Sequence, residues 1–232
     1  MKEIIRKYFY SFLHILFPHN CANCCVDLLQ EDSLLCSRCF ALLPETGFFD
    51  VADNPVEKRF YGRVKITAAA AGFYFNKHSI MQRMIAQLKY HGDIKSGLFL
   101  GRQLGIQLIN SGRFDEVEAI VPVPLNTIKE KKRGYNQSFI IAQGIAQEFN
   151  RPILNDVLIR SKNTETQTKK NRISRFNNMQ GVFEINENNL NSFRHLLLID
   201  DVITTGATLE SCSAALLLVS GMKISIATVA FA

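Results

Sequence analysis

Two clusters in this chain have residue types and spacings that can do chemistry. Near the N-terminus, Cys21 and Cys24 form one Cys-x2-Cys pair, and Cys36 and Cys39 form a second after eleven intervening residues. Two such chelating knuckles suit a tetrahedral shell of four thiolates around Zn2+. The gap is shorter than the roughly 15 to 20 residues common in such sites, which makes a tighter loop but does not alter the chemistry. With sulfur at all four positions no place is left for water, so a zinc held there is structural; the alternative is a set of buried free thiols. Cys25 adjoins a ligand, and neighbouring residues rarely point at one ion. Cys212 lies on the apolar side of a C-terminal helical pattern and reads as core.

The second cluster runs from Leu196 to Thr208, LLLIDDVITTGAT. Its apolar start predicts a buried strand, Asp200 and Asp201 are expected where that strand leaves the sheet, and a Thr-Thr-Gly-Ala-Thr turn opens a helix. The carboxyl end of a parallel strand is where open α/β sheets bind ligands. The start of the following helix offers free N–H groups and a dipole that favours an anion. Gly206 lets the backbone wrap an anion with no Cβ in the way, and Thr204, Thr205 and Thr208 supply hydroxyl donors. The two acids are the wrong charge for phosphate but suit ribose hydroxyls, which can donate to a carboxylate. The plainer reading of the pair is a helix cap and a solvated acid.

These clusters need elements to position them. The chain has 232 residues, 47% hydrophobic and 21% charged, with 13 Gly and 6 Pro, a profile that leaves little room for disorder or fibrous repeats. The hydrophobic pattern predicts helices over 78–90, 97–110, 137–149 and 208–219. It predicts extended segments over 116–124, 153–159, 182–185, 195–199 and 223–231. This alternation implies an α/β fold, a parallel sheet with helices on both faces, preceded by a small cysteine-bearing unit. The expected organisation is 1–50 for the N-terminal helix and zinc unit, 51–60 for a linker and 61–232 for the main domain. Residues 1–18 place Lys2, Arg6 and Lys7 ahead of an apolar run that Ser11 and His14 interrupt. That segment reads as an amphipathic helix, with no signal peptide or membrane insertion and a cytoplasmic location expected.

The formal charge of +6 is concentrated. Residues 126–138 carry Lys129, Lys131, Lys132 and Arg133 against Glu130; residues 158–180 carry Arg160, Lys162, Lys169, Lys170, Arg172 and Arg175 against Glu165. Together these exceed the total, so the remainder is slightly acidic. Local basicity of this kind fits an anionic ligand or nucleic acid at one place. Solvation alone is the simpler reading for Lys129, Lys131 and Lys132.

The segment Leu196–Thr208 resembles the phosphoribosyl pyrophosphate (PRPP) motif of type I phosphoribosyltransferases. With the four cysteines, Leu88-Lys89-Tyr90 with Gly92-Asp93, Pro122-Val123-Pro124-Leu125 and the run from Arg133 through Gly134, Tyr135, Asn136 and Gln137 to Ser138, nearly the whole chain resembles the ComF family. Tyr135 stands where Phe is commoner there. The resemblance implies PRPP binding with Mg2+, a ribose and phosphate site of Asp200, Asp201, Thr204, Thr205, Gly206, Ala207 and Thr208, and a pyrophosphate loop at Pro122–Leu125. Arg133 and Asn136 join that site by resemblance, Arg133 as a catalytic-site clamp on phosphate oxygens. A closing lid is implied over 159–180, matched at Arg160, Gln167, Arg172 and Asn177; a mobile surface loop is the alternative.

The activity implied is a glycosyltransferase reaction of the pentosyl kind, transfer of phosphoribosyl to an unidentified nitrogen acceptor with release of pyrophosphate. The alternative is a non-catalytic PRPP- or nucleotide-binding module associated with competence and DNA uptake, contacting single-stranded DNA or a competence helicase. Phe9, Phe12, Phe48 and Phe49 could offer stacking surfaces but read as small-domain core.

Overall fold

The computed structural model describes residues 19–28, 33–160, 182–190 and 192–232. Gln167, Arg172 and Asn177, the basic pair Lys169 and Lys170, the N-terminal helix and Phe9 and Phe12 lie outside the described residues. The chain divides into two compact units, one ending at Leu43 and one beginning at Pro44.

In the first unit, Asn20 bridges antiparallel to Asp27, and helix α1 spans Ser37–Ala41. Cys36 caps α1, its sulfur accepting from the Cys39 amide. Cys21, Leu28, Leu35, Cys39 and Leu43 are buried.

The second unit begins with a 3-10 turn over Phe48–Asp50 and helix α2, Pro55–Lys58. Helix α2 lies within the segment expected as a linker, 51–60, and that segment belongs to the second unit. Asn54 and Pro55 act as N-cap and first helical residue, not as breakers. The Asn54 amide donates to Phe48 O, Val51 O and Ala69 O, while Val56 and Phe60 are fully buried. Glu57 pairs with Arg113, which also donates to the carbonyls of Phe48, Phe49 and Val51. Phe48 and Phe49 are therefore core of this unit, edge-on to Tyr74 and Phe231 and against Phe114, not core of the small one.

Beyond α2 come β1 Ala68–Tyr74, α3 Ile80–Tyr90, α4 Ile94–Ser111, β2 Ala119–Pro122, α5 Thr127–Arg133 and α6 Gln137–Phe149. A short antiparallel pair follows, β3 Leu158–Arg160 with β4 Phe183–Ile185; then β5 His195–Ile203, α7 Ala207–Leu216 and β6 Lys223–Phe231. The main sheet is parallel throughout, in the order β1-β6-β5-β2, and Ile153 bridges parallel to Ile120 on the free side of β2. Every residue from Leu196 to Ile199 and from Ile224 to Ala230 is buried, as a sheet covered on both faces requires. The α/β class read from the sequence is thus the fold observed. β1 and α5 were not anticipated.

The tightest contact in the unit joins α4 to α6. A Cβ built at Gly101 would lie 2.2 Å from Ile141 O, and one at Gly144 would lie 2.3 Å from Leu98 O. Both obstacles are backbone and cannot rotate away. Gly101→Ala is expected to destabilise the protein by about 2 kcal/mol, because an overpacking cost of roughly 3 kcal/mol exceeds the ~1 kcal/mol gained in helix propensity. Thermal denaturation should show Tm lower by about 4–8 °C; an unchanged Tm would mean the helices can part freely.

Candidate functional site

In the first unit, the sulfurs of Cys21, Cys24, Cys36 and Cys39 all lie within 4.8 Å of one another, and Cys24 Sγ is 3.7 Å from Cys36 Sγ. A tetrahedral zinc with bonds of about 2.3 Å holds its sulfurs roughly 3.8 Å apart, so the four cysteines can bind zinc. Backbone and side-chain donors already face them: Cys36 N to Cys21 Sγ at 3.4 Å, Cys39 N to Cys36 Sγ at 3.5 Å and Asn23 Nδ2 to Cys39 Sγ at 3.2 Å. Burial works to raise the Cys21 thiol, but the amides of Cys24, Cys36 and Asn23 outweigh it and lower its pKa to about 6. At Cys24 the Val26 amide favours the thiolate, yet burial and the three neighbouring sulfurs push it up to about 12. Four thiolates cannot share this space without a cation to neutralise them. Cys25 is exposed with φ of +59° and stands outside the set.

In the second unit, β5 does not end at the acids as expected. It continues to Ile203, because Val202 and Ile203 still pair with Ala230 and Phe231 of β6. On its other side it loses its neighbour at this point: Pro122 is the last β2 residue in register, opposite Ile199, and Val123 N donates to Ile199 O. Pro124 has no N–H to continue the ladder. The acids therefore lie just beyond the last β5 residue that β2 pairs with.

Consecutive strand residues point to opposite faces, and the two carboxylates meet different partners. Asp200 Oδ1 accepts from Ser138 Oγ at 3.1 Å and from the Asp201 amide at 2.9 Å. Asp201, 5% exposed, pairs with Lys89 Nζ at 2.8 Å. Burial, then the neighbouring Asp201 charge, raises the Asp200 pKa to about 7; the Asp201 amide, Ser138 and Lys89 oppose this only in part. A carboxyl poised near neutrality in a cleft marks a functional candidate.

Past β5, Thr204 and Thr205 are exposed, and Gly206 caps α7 with φ of +77°. A Cβ at Gly206 would approach Phe60 Cε1 to 3.3 Å. The positive φ favours glycine here, and an added Cβ would also crowd the Phe60 ring. Asp200, Thr204, Thr205, Gly206, Ala207 and Thr208 line a small open cradle of about 60 Å³. It opens onto the first turn of α7, whose amides lack intrahelical partners. Arg63 donates to Thr205 O at 3.1 Å and pairs with Glu210.

A larger cavity of about 330 Å³ is lined by Lys89, Tyr90, Lys129, Lys132, Arg133 and Tyr135, with Gly92. Arg133 donates to Gln137 Oε1 at 2.6 Å, and its guanidinium lies 5.7 Å from the Tyr90 ring centre. Tyr135 donates to Leu88 O. Lys129 and Lys132 are exposed at its rim, and Lys131 is exposed too. Asn136 caps α6 and donates to Val123 O at 3.0 Å, so it fixes the Pro122–Leu125 loop against the start of that helix.

The expected residues thus fall into two groups. Asp200 and Thr204–Thr208 share the cradle, and Arg133 sits in the basic cavity. Arg160 lines neither cavity and stacks 5.4 Å from the Phe183 ring centre, its buried Nε without a hydrogen-bond partner among the described residues. Cys212 is fully buried, and burial raises its thiol pKa well above the usual value. Sequence reasoning assigned no role to Lys89, Ser138, Arg63 or Phe60. Lys89 and Ser138 lay within motifs quoted for the family; Arg63 and Phe60 carried no local signal. Among the described residues, no helix is long and apolar enough to cross a membrane.

Residues 135–232 match the phosphoribosyl transferase domain family. The chain is 32% identical over 146 residues to Competence protein F of Haemophilus influenzae, covering 61% of this chain and 62% of that one. It is 26% identical over 154 residues to Competence protein ComFC of Bacillus subtilis, covering 62% and 56%. With DNA utilization protein YhgH of Escherichia coli K12 the identity is 28% over 137 residues, covering 58% and 60%. The chain therefore spans less than two thirds of the length of each of these relatives. A solved adenine phosphoribosyltransferase from Leishmania tarentolae aligns over 82% of this chain and 94% of that one, with 14% identity and a slight TM-score of 0.36.

Proposed function

Since this chain is a homologue of the ComF-type competence proteins and carries a phosphoribosyl transferase domain, we propose that it binds PRPP and transfers its phosphoribosyl group to a nitrogen acceptor. The observation that carries this reading is a small cradle at one strand end, lined by Asp200 and Thr204–Thr208, with the buried Asp201 next to Asp200 in the strand. In it, the amides at the start of α7 and the hydroxyls of Thr204, Thr205 and Thr208 take the 5′-phosphate. Asp200 and Asp201 accept from the ribose hydroxyls. The Pro122–Leu125 loop, fixed by Asn136, and the cations about Arg133 face the pyrophosphate.

The acceptor nitrogen forms a bond to ribose C1 as the C1–oxygen bond breaks, and that electron pair leaves with pyrophosphate. The acceptor's proton departs with the new bond, to solvent or to a carboxylate. No covalent enzyme nucleophile is needed; the residues act by positioning and by stabilising charge. Mg2+, when bound with PRPP, neutralises pyrophosphate oxygens. The four cysteines are proposed to hold a structural Zn2+. The reading is tested by calorimetric titration with PRPP and Mg2+, followed by a pyrophosphate-release screen across nucleobases. Absence of PRPP binding would overturn it.

A second reading is favoured by the relatives' names, which speak of competence and DNA utilization, and by the exposed basic helix α5. In it the chain binds PRPP or a nucleotide without turnover and meets single-stranded DNA or a helicase in the cytoplasm. Such contact is mostly electrostatic and should weaken steeply between about 50 and 200 mM salt. PRPP binding with no pyrophosphate release from any acceptor would select this reading.

A further inference from the structure

Lys89 belongs to two places at once. Its ammonium lies 2.8 Å from Asp201 Oδ2, with 22% of the lysine side chain and 8% of the aspartate side chain exposed. The same residue walls the 330 Å³ cavity beside Lys129, Lys132 and Arg133. None of the described residues lining that cavity is acidic. Asp201 sits within a paired strand and cannot move far. Lys89 is the penultimate residue of α3, on a flexible four-carbon stem, three residues before Gly92 with φ of +70°. A compact ammonium with three donors can exchange one anion for another by rotating its stem.

We propose that Lys89 is a two-position switch, held on Asp201 while the basic cavity is empty and drawn onto an anion of the pyrophosphate class when one enters. This rests on the PRPP reading above. In the first position the ammonium occupies a carboxylate oxygen that a sugar hydroxyl would use. In the second, that oxygen is free and the anion gains a fourth cation. Filling the cavity therefore prepares the acid pair, and the two ligand halves bind cooperatively. By reciprocity, each must tighten the other by the same factor.

The test uses the whole protein and two simple probes, ribose 5-phosphate and inorganic pyrophosphate, titrated separately and together by calorimetry. Pyrophosphate is expected to tighten ribose 5-phosphate binding by about 5-fold or more, and ribose 5-phosphate to tighten pyrophosphate equally. Lys89→Met should bind ribose 5-phosphate more tightly than the wild type when pyrophosphate is absent, with the coupling reduced to about 1. A lysine that only held the fold would do the reverse, lowering both affinity and Tm. Should Lys89→Met fail to fold, the wild-type cycle decides alone. Coupling that is absent or negative in the wild type, with both ligands bound, overturns the switch and leaves the PRPP reading intact. Failure of ribose 5-phosphate to bind at all overturns both.

Discussion

Protein purified without chelator is expected to contain one zinc per chain, and removing it is expected to unfold the first unit. Among the described residues of that unit, Leu28, Leu35 and Leu43 are the buried aliphatics, beside Cys21 and Cys39. The four sulfurs lie within 4.8 Å of one another, at close to the spacing a tetrahedral ion imposes. All four are free thiols in the structure, with Cys24 Sγ and Cys36 Sγ 3.7 Å apart, far beyond a sulfur–sulfur bond. Structural zinc contributes apparent folding energy of about 10–16 kcal/mol in small units, because an unfolded chain has no preformed site. The sulfurs must shed protons to bind, so affinity falls as pH falls. Elemental analysis supplies the stoichiometry. Cys24→Ser or Cys36→Ser should cut the zinc content sharply, whereas Cys25→Ser should leave it unchanged. Substantially less than one zinc per chain in the wild type, or equal loss on replacing Cys25, would remove the site.

How much of this was legible depended on how local each signal is. Cys-x2-Cys twice, and an apolar strand followed by a Thr-Thr-Gly turn, are written within a few residues of one another, and both appear in the structure as brought together. The helix at 137–149 was readable from its stripe of Ile141, Ile145 and Phe149 and is found over those residues. Strand β1 was not readable, because Ala68–Ala71 have neither branched nor aromatic side chains. Their small size serves packing: a Cβ added at Gly72 of the same strand would lie 2.6 Å from Leu104 on α4. Helix α5 buries no residue, so it shows no apolar period. Asn54-Pro55 looked like punctuation but begins a helix. The end of β5 was placed too early because two charges in a row suggest departure from a sheet. Asp201 is nevertheless buried, its cost offset by Lys89 from a helix more than a hundred residues away in sequence. Lys89 and Arg63 reach the site through tertiary contacts that no short window contains.

The acid pair and the cradle should separate under mutation, and the separation has the largest effect on ligand binding. Thr205→Val and Thr208→Val keep shape and remove hydroxyl donors. Each should weaken PRPP and sulfate alike, by roughly 1–3 kcal/mol, as a charge-assisted hydrogen bond is lost. Asp201→Asn should weaken PRPP by about 10- to 100-fold while leaving sulfate binding intact or tighter, since a negative charge disappears and Lys89 is released. Asp200→Asn should discriminate in the same direction and carries a second signature. Its pKa is raised from 3.8 to about 7, so between those values the folded state holds a proton that the unfolded state has lost. Wild-type stability should then fall as pH rises through that window, from no penalty near pH 4 to the full penalty above pH 7. Asp200→Asn abolishes this dependence. Its Tm should match the wild type near pH 4 and exceed it at pH 8, by an amount on the order of a few kcal/mol in stability, since each unit of the shift is worth about 1.4 kcal/mol. A pair that merely capped a helix would behave otherwise: the asparagine variants would lose stability at every pH, and PRPP and sulfate would weaken together. Calorimetry with both ligands, and melting curves at pH 4 and pH 8, distinguish the two. Equal loss of PRPP and sulfate binding in the Asp variants would show that the carboxylates do not hold the sugar.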